Sequence, residues 1–179
     1  KNLIPIREER SLPRLKPVIP YPVLLFEANG ERVLLISDLH IGFEHRLADQ
    51  GIYIPSQTKK LIDALVKIVD DVKPQQLIVI GDVKEAIPRI SPQEWRDVPQ
   101  FFDQVSKKVN NITVVVGNHD GDLEPLLNPN VRKTSSKGIV IGKTRKLGLF
   151  HGHAWPSPEV LEADTLIAAH IHPMLRLYY

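Results

Sequence analysis

Six of the seven histidines of this chain fall in four short clusters, and each cluster follows an apolar run. His40 closes Ser37-Asp38-Leu39-His40, and His119 lies in Gly117-Asn118-His119-Asp120. His151 and His153 form His-Gly-His, and His170 and His172 form His-Ile-His. A fifth block, Gly81-Asp82-Val83-Lys84, carries a carboxylate in the same strand-end position. Imidazole and carboxylate together suit borderline divalent cations such as Mn, Fe, Co, Ni or Zn. Cysteine is absent, so disulfides and thiolate sites are excluded, and any metal must be held by His, Asp, Glu or Asn.

Each cluster alone has a plainer explanation. Asp38 and His40 project to one side if strand geometry persists, yet Asp-x-His also suits a polar strand end. Asp82 follows Gly81, which permits a sharp turn, and its two oxygens can bridge two cations; a lone Gly-Asp is more often a turn cap. The Asn118 amide oxygen can be a neutral ligand, leaving His119 to face substrate, whereas Gly-Asn by itself is a good turn former. The two His-x-His pairs are harder to explain as structural residues. His45 stands apart, in a helical segment, and reads as solvated or structural. Five such blocks in order make coincidence the weaker explanation. Their ligands also suffice for two metals with roughly four protein ligands each, water and substrate filling the rest.

The elements that must position these groups follow from the pattern between them. Residues 1–22 are rich in Pro and charge and read as an extended arm, with a single domain over 23–179. Val23–Phe26 and Arg32–Ile36, joined through Asn29-Gly30, predict a β-hairpin. Apolar residues at Leu61, Ile62, Leu65, Val66, Ile68 and Val69 predict a helix over 56–71. Leu77–Ile80 and Ile112–Val116 are buried strands without alternation, as when both faces are covered. Ser91-Pro92-Gln93-Glu94 is a helix start, with Ser as N-cap, Pro at the first helical position and Glu three residues after the cap; the helix is predicted to run to about Val109. Residues 124–130 form a loop or short helix. Ile139–Ile141 and Arg145–Phe150 are strands, 158–163 a short helix, and Thr165–Ala169 a last strand. The order β-β-α-β-α-β-β-β-α-β is that of an α/β layered protein, and in such sheets ligands bind beyond the carboxyl ends of the strands. All five blocks fall there.

Composition sets the remaining bounds. With 179 residues, 42% hydrophobic and 25% charged, the chain is long enough for one domain with a real core. A net charge of +2 without a basic block does not advertise strong nonspecific nucleic-acid binding. No apolar run approaches the roughly 20 residues that span a bilayer, and no signal-peptide core is visible. The expectation is a soluble cytoplasmic protein. The sequence opens on Lys1, so a few preceding residues are expected to be missing. One Met, no Cys and 15 Pro fit a heat-adapted protein.

Taken in order, Asp-x-His, Gly-Asp, Gly-Asn-His-Asp, His-x-His and a closing (Gly/Ala)-His-x-His resemble the calcineurin-like metallophosphoesterase superfamily. The resemblance runs from about residue 23 to residue 173. Asp38–Glu44, Gly51–Pro55 and Gly81–Lys84 look most like the prokaryotic ICC-like phosphoesterases, which include DNA-ligase-associated phosphodiesterases. The resemblance implies a four-layer α/β/β/α sandwich with two divalent metals, Mn foremost and Fe, Ni, Co or Zn as alternatives. It implies that Asp38, His40 and His172 hold one metal, that Asn118, His151 and His170 hold the other, and that Asp82 bridges them. His119 would touch the phosphate and protonate the leaving oxygen. The implied partner is a phosphate ester, a nucleotide, cyclic nucleotide or nucleic-acid end; the membrane is not one, and a homodimer is an option.

Three departures from the family pattern matter. Glu85 stands where nuclease-like relatives often carry His and phosphatases an Asp that orients the catalytic His, so Glu85 is a candidate to orient His119, with Asp120 as its rival. Ala169 replaces a usual Gly. The chain stops seven residues after His172, where the family continues, so its last strands are expected to lie beyond the sequence given. His153 and Lys84 are candidate substrate contacts, and Arg89, Arg132 and Lys133 further anion-binding candidates. The leading function is a metal-dependent phosphodiesterase; the alternatives are a DNA exo- or endonuclease and a non-catalytic scaffold of the same fold.

Overall fold

The computed structural model describes residues 14–174. Its elements in chain order are β1 (Arg14–Pro17), β2 (Leu24–Ala28), β3 (Glu31–Ile36), α1 (Phe43–Asp49), α2 (Thr58–Val72), β4 (Gln76–Ile80), α3 (Pro92–Ser106) and β5 (Asn111–Val115). A 3-10 turn (Glu124–Leu126), β6 (Val131–Thr134), β7 (Ile139–Ile141), β8 (Leu147–Phe150), α4 (Pro158–Leu161) and β9 (Thr165–Ala168) complete them.

Strands β1 to β6 form one sheet in sequence order, antiparallel through β3 and parallel from β3 to β6. Ala28 pairs with Glu31 across the hairpin, so Asn29 and Gly30 alone make the turn, with φ of 51° and 81°. Positive φ at both central residues matches the strand twist, which is why Asn-Gly stands there. A second sheet has the order β7-β8-β9, with β7 antiparallel and β9 parallel to β8.

Side chains alternate across the larger sheet, and both faces are buried. Leu34, Leu77, Val79, Ile112 and Val114 join Ile62, Leu65 and Val69 of α2 and Val98, Phe101 and Phe102 of α3 in one core. Leu35, Ile78, Ile80 and Val115 point the other way and meet Leu147 and Leu149 of β8 in a second core between the sheets. Helix α4 covers the outer side of the smaller sheet. A Cβ on Gly148 would stand 2.5 Å from the Val160 carbonyl oxygen, so only glycine admits this approach. The layers therefore run helix, sheet, sheet, helix.

Three features differ from the sequence reading. Within the segment read as an arm, Arg14–Pro17 pairs with β2 as an edge strand, while residues 1–13 lie outside the described residues. Val131–Thr134 forms edge strand β6, where only Val131 is buried, so no apolar pattern announced it. Helix α3 ends at Ser106, with the Lys108 and Val109 N–H groups turning back to the Val105 carbonyl. Among the described residues, no helix is long and apolar enough to cross a membrane.

The start of α3 does more than cap a helix. Ser91 and Glu94 form the expected capping box. The fully buried Glu94 carboxylate also accepts N–H bonds from Glu85 at 2.8 Å and Ala86 at 2.6 Å, besides Ser91 at 2.6 Å. This one carboxylate ties the loop after β4 to the helix. Glu94→Ala strands all three donors and is expected to lower unfolding stability by about 3 kcal/mol in urea melts; an unchanged midpoint would mean that the loop is held by other contacts.

Candidate metal centre

The five chemistry-bearing blocks occupy the loops after β3, β4, β5, β8 and β9, all at one edge of the two sheets. The first two loops prolong the parallel β3–β4 pairing. Asp38 N–H donates to Gly81 O, His40 N–H to Asp82 O and Ile41 N–H to Val83 O, at 2.9–3.0 Å. Asp38, His40, Asp82, His170 and His172 all take positive φ, between 44° and 69°. Left-handed backbone costs an ordinary residue about 1–2 kcal/mol, although Asp and His tolerate it better than most. Such conformations persist where surrounding bonds over-determine them, and they cluster at functional sites.

Three groups of potential ligand atoms result among the described residues: one of them, His40, Glu85 and His119, is tied together by the hydrogen bonds described below, and the other two meet on Asp82. The donor atoms of Asp38, His40 and His172 lie within 4.8 Å of one another, as do those of Asp82, His151 and His170. Asp82 reaches into both, with Oδ2 3.1 Å from His151 Nε2 and 3.8 Å from His40 Nε2. Asn118 Oδ1 faces His151 Nε2 at 3.2 Å. Asp38 Oδ1 accepts the His170 N–H at 3.3 Å, which joins the loops of the two sheets. The space is made by glycines: a Cβ on Gly81 would lie 2.2 Å from His151 Nδ1, and one on Gly117 2.2 Å from Asp82 Oδ1.

The donor atoms suit cations. His151 is fully buried and its Nδ1 donates to the Ile80 carbonyl at 3.0 Å, which leaves Nε2 as a lone pair aimed at two oxygens. Those three acceptors need a proton or a metal between them. His40 Nδ1 bonds Glu85 Oε2 at 2.6 Å, and its buried Nε2 has no partner. A carboxylate behind a histidine fixes its tautomer and raises its basicity toward a metal. Burial works against charge on both Asp82 and His151, but their mutual bond prevails. It holds the Asp82 pKa down at about 2 and moves that of His151 above its ordinary value.

Other predicted residues are placed differently. His119 Nδ1 donates to the backbone carbonyl of Glu85, and its N–H to Asp82 Oδ1 at 3.0 Å. Neither candidate carboxylate hydrogen-bonds its ring, although a Glu85 carboxylate oxygen comes within 4.8 Å of a His119 ring nitrogen. The Glu85 carboxylate is taken by His40 and by Arg46, whose Nη1 lies 2.7 Å from Oε1. Asp120 is fully buried and accepts the Val83 and Gly117 N–H groups, each at 2.9 Å, so it staples the loops after β4 and β5. Burial pushes its pKa up. Lys84, read as a substrate contact, is only 1% exposed and gives its ammonium to the Ala86 carbonyl. His153 stands 5.3 Å from His151 and 6.2 Å from His170, ring to ring, with a buried Nδ1 that lacks a partner. Burial, then the neighbouring His151 charge, depress its pKa. Lys133 pairs with Glu124, and it shares strand β6 with Arg132. Arg46 went unnoticed because nothing in the spacing of a surface helix marks one arginine as paired to a loop carboxylate.

The chain belongs to the calcineurin-like phosphoesterase family, whose model matches residues 31–175. The family is one of phosphoester hydrolases that use divalent metals. Among curated proteins, no sequence relative matches. Among solved structures, the chain is similar to the nuclease MPE of Pseudomonas putida, at 20% identity and a TM-score of 0.54 over 90% of this chain and 74% of that one. It is similar also to a protein of unknown function from Aquifex aeolicus, at 18% identity and a TM-score of 0.51 over 79% and 80%. The E. coli phosphoesterase Yfce matches at 20% identity and a TM-score of 0.45 over 77% and 63%. At these identities the likeness to the first two concerns the fold alone.

Proposed function

We propose that the chain is a dinuclear-metal phosphodiesterase acting on nucleotides, cyclic nucleotides or nucleic-acid ends. The observation that carries this reading is the meeting of two ligand groups on one carboxylate, Asp82, with His119 beside it. Asp38, His40 and His172 would hold one ion, Asn118, His151 and His170 the other, and Asp82 both. When bound, the ions neutralise phosphate charge and make a water more acidic. His119 supplies the proton for the departing oxygen. Its Nδ1–H is committed to the Glu85 carbonyl, so the ring is fixed and Nε2 carries the transferable proton. The choice of diester follows the resemblance to ICC-like phosphoesterases, and a nuclease of the same fold is consistent with it.

Glu85 acts in this scheme through His40. Glu85→Gln is expected to weaken metal binding about 10–100-fold while saturating metal restores turnover. Turnover that stays low at saturating metal would instead assign Glu85 to His119.

Hydrolysis of bis-p-nitrophenyl phosphate and of p-nitrophenyl phosphate, compared before and after chelation and after added Mn²⁺, tests the reading. Diester cleavage lost with the chelator and regained with metal is the expected result. Preference for the monoester would make the protein a phosphatase, and metal binding without turnover of either would favour the scaffold.

A further inference from the structure

A cavity of about 310 Å³ opens between α1 and the loop after β4, with His119 on its wall. We propose that this cavity is the leaving-group subsite and that it receives a neutral alcohol bearing a flat ring, such as a nucleoside. The inference rests on the phosphodiesterase reading above. An acid protonates only an oxygen within hydrogen-bond reach of it, so the substituent on the departing oxygen must lie on the side of the site that His119 borders.

The walls select the occupant. Ala86 and the exposed Ile87 give an apolar side. Arg46 gives a planar one, with its carbon Cζ 4.8 Å from the centre of the Phe43 ring. Arg46 lines the cavity and Phe43 does not, so the guanidinium, already against one ring, also borders the space that a second ring would enter. Arg46 is already paired with Glu85 at 2.7 Å, and besides His119 the other two ionisable groups of the lining, Asp49 and His45, add one carboxylate and one imidazole. The subsite thus has no surplus positive charge for a second phosphate, and a flat neutral group is the better match. Its volume stands at the small end of ligand pockets, about 300–1,000 Å³, which suits one ring-bearing unit rather than a chain.

Two methyl phosphoryl esters that differ in the departing group, one a diester and one a phosphorofluoridate, test the assignment. In methyl p-nitrophenyl phosphate a P–O bond breaks as water adds to phosphorus, giving methyl phosphate and p-nitrophenol. In methyl phosphorofluoridate a P–F bond breaks, giving methyl phosphate and fluoride, which leaves the cavity empty. Ile87→Trp fills the cavity from an exposed position, with metal content checked against the wild type. The expected result is a loss of about tenfold or more in kcat/KM on the nitrophenyl ester, the scale of one lost ring stack, with the fluoridate unchanged within about twofold. Thymidine alone should shift the NMR signals of Ala86 and Ile87 in the wild type, and inorganic phosphate should not. Equal losses on both esters, loss on neither, or no thymidine shift would overturn the subsite while leaving the phosphodiesterase reading in place. Failure of the wild type to cleave either ester in the presence of metal would instead bring down that reading and the subsite with it.

Discussion

His119→Ala is expected to keep its metals and to lose turnover by about 10²–10⁴-fold, the range of a positioned general acid. The side chain stands beside the ligand groups rather than within the pair that meets on Asp82. Its Nδ1 is occupied by the Glu85 carbonyl, and its ring lies edge to face with His40 at 5.0 Å. Removal therefore leaves Asp38, His40, Asp82 and His151 with their partners intact. The loss should fall on kcat more than on KM, because proton donation matters most when the bond breaks. It should also shrink for esters whose alcohol is acidic and needs no proton to leave. Metal content by elemental analysis, beside steady-state rates on p-nitrophenyl and alkyl esters, checks both parts. A parallel loss of metal and activity would make His119 a ligand.

Asp82→Ala should have the largest effect on metal binding. Changes to residues behind a ligand cost about 10–100-fold in affinity, so removal of a carboxylate shared by two ions is expected to cost more than about 100-fold. Asp82 stays ionised across the whole working range, since its pKa is held down at about 2. The sign of its stability contribution follows. A carboxyl group depressed from its ordinary value of 3.8 stabilises the fold above that value, and the contribution fades as pH falls toward 2. Asp82→Asn keeps the shape and an oxygen for the His119 N–H while removing the charge, so it separates lost metal from lost folding. Calorimetric titration with Mn²⁺ reads the affinity. Retained tight binding of two ions in either variant would contradict the bridging role.

Legibility in the sequence followed physical type. The two-residue Asn29-Gly30 turn and the capping box at Ser91 declare themselves locally, because one residue type suits each position. Buried strands β4 and β5 read clearly because both faces are covered. Edge strands β1 and β6 did not, since an edge is held by backbone pairing rather than by an apolar stripe. The candidate ligands were visible as strand-end blocks. What the sequence hides is which partner each polar group takes across long separations. Glu85 is 34 residues from His119 and 45 from His40, and folding gives its carbonyl to the first and its carboxylate to the second. Asp120 likewise follows His119 directly, yet it bonds the backbone of the loop after β4. Lys84 looked like a surface cation and is enclosed, because the loop that carries it folds back onto Ile41 in a parallel bridge.

In the proposed site, two divalent ions would share Asp82. Anomalous diffraction from crystals of the Mn²⁺-loaded protein, collected on both sides of the metal absorption edge, tests it directly. Two anomalous peaks flanking the Asp82 carboxylate, one beside His40 and His172 and the other beside Asn118, His151 and His170, are the predicted result. A single peak, or two peaks of which one lies away from Asp82, would contradict it.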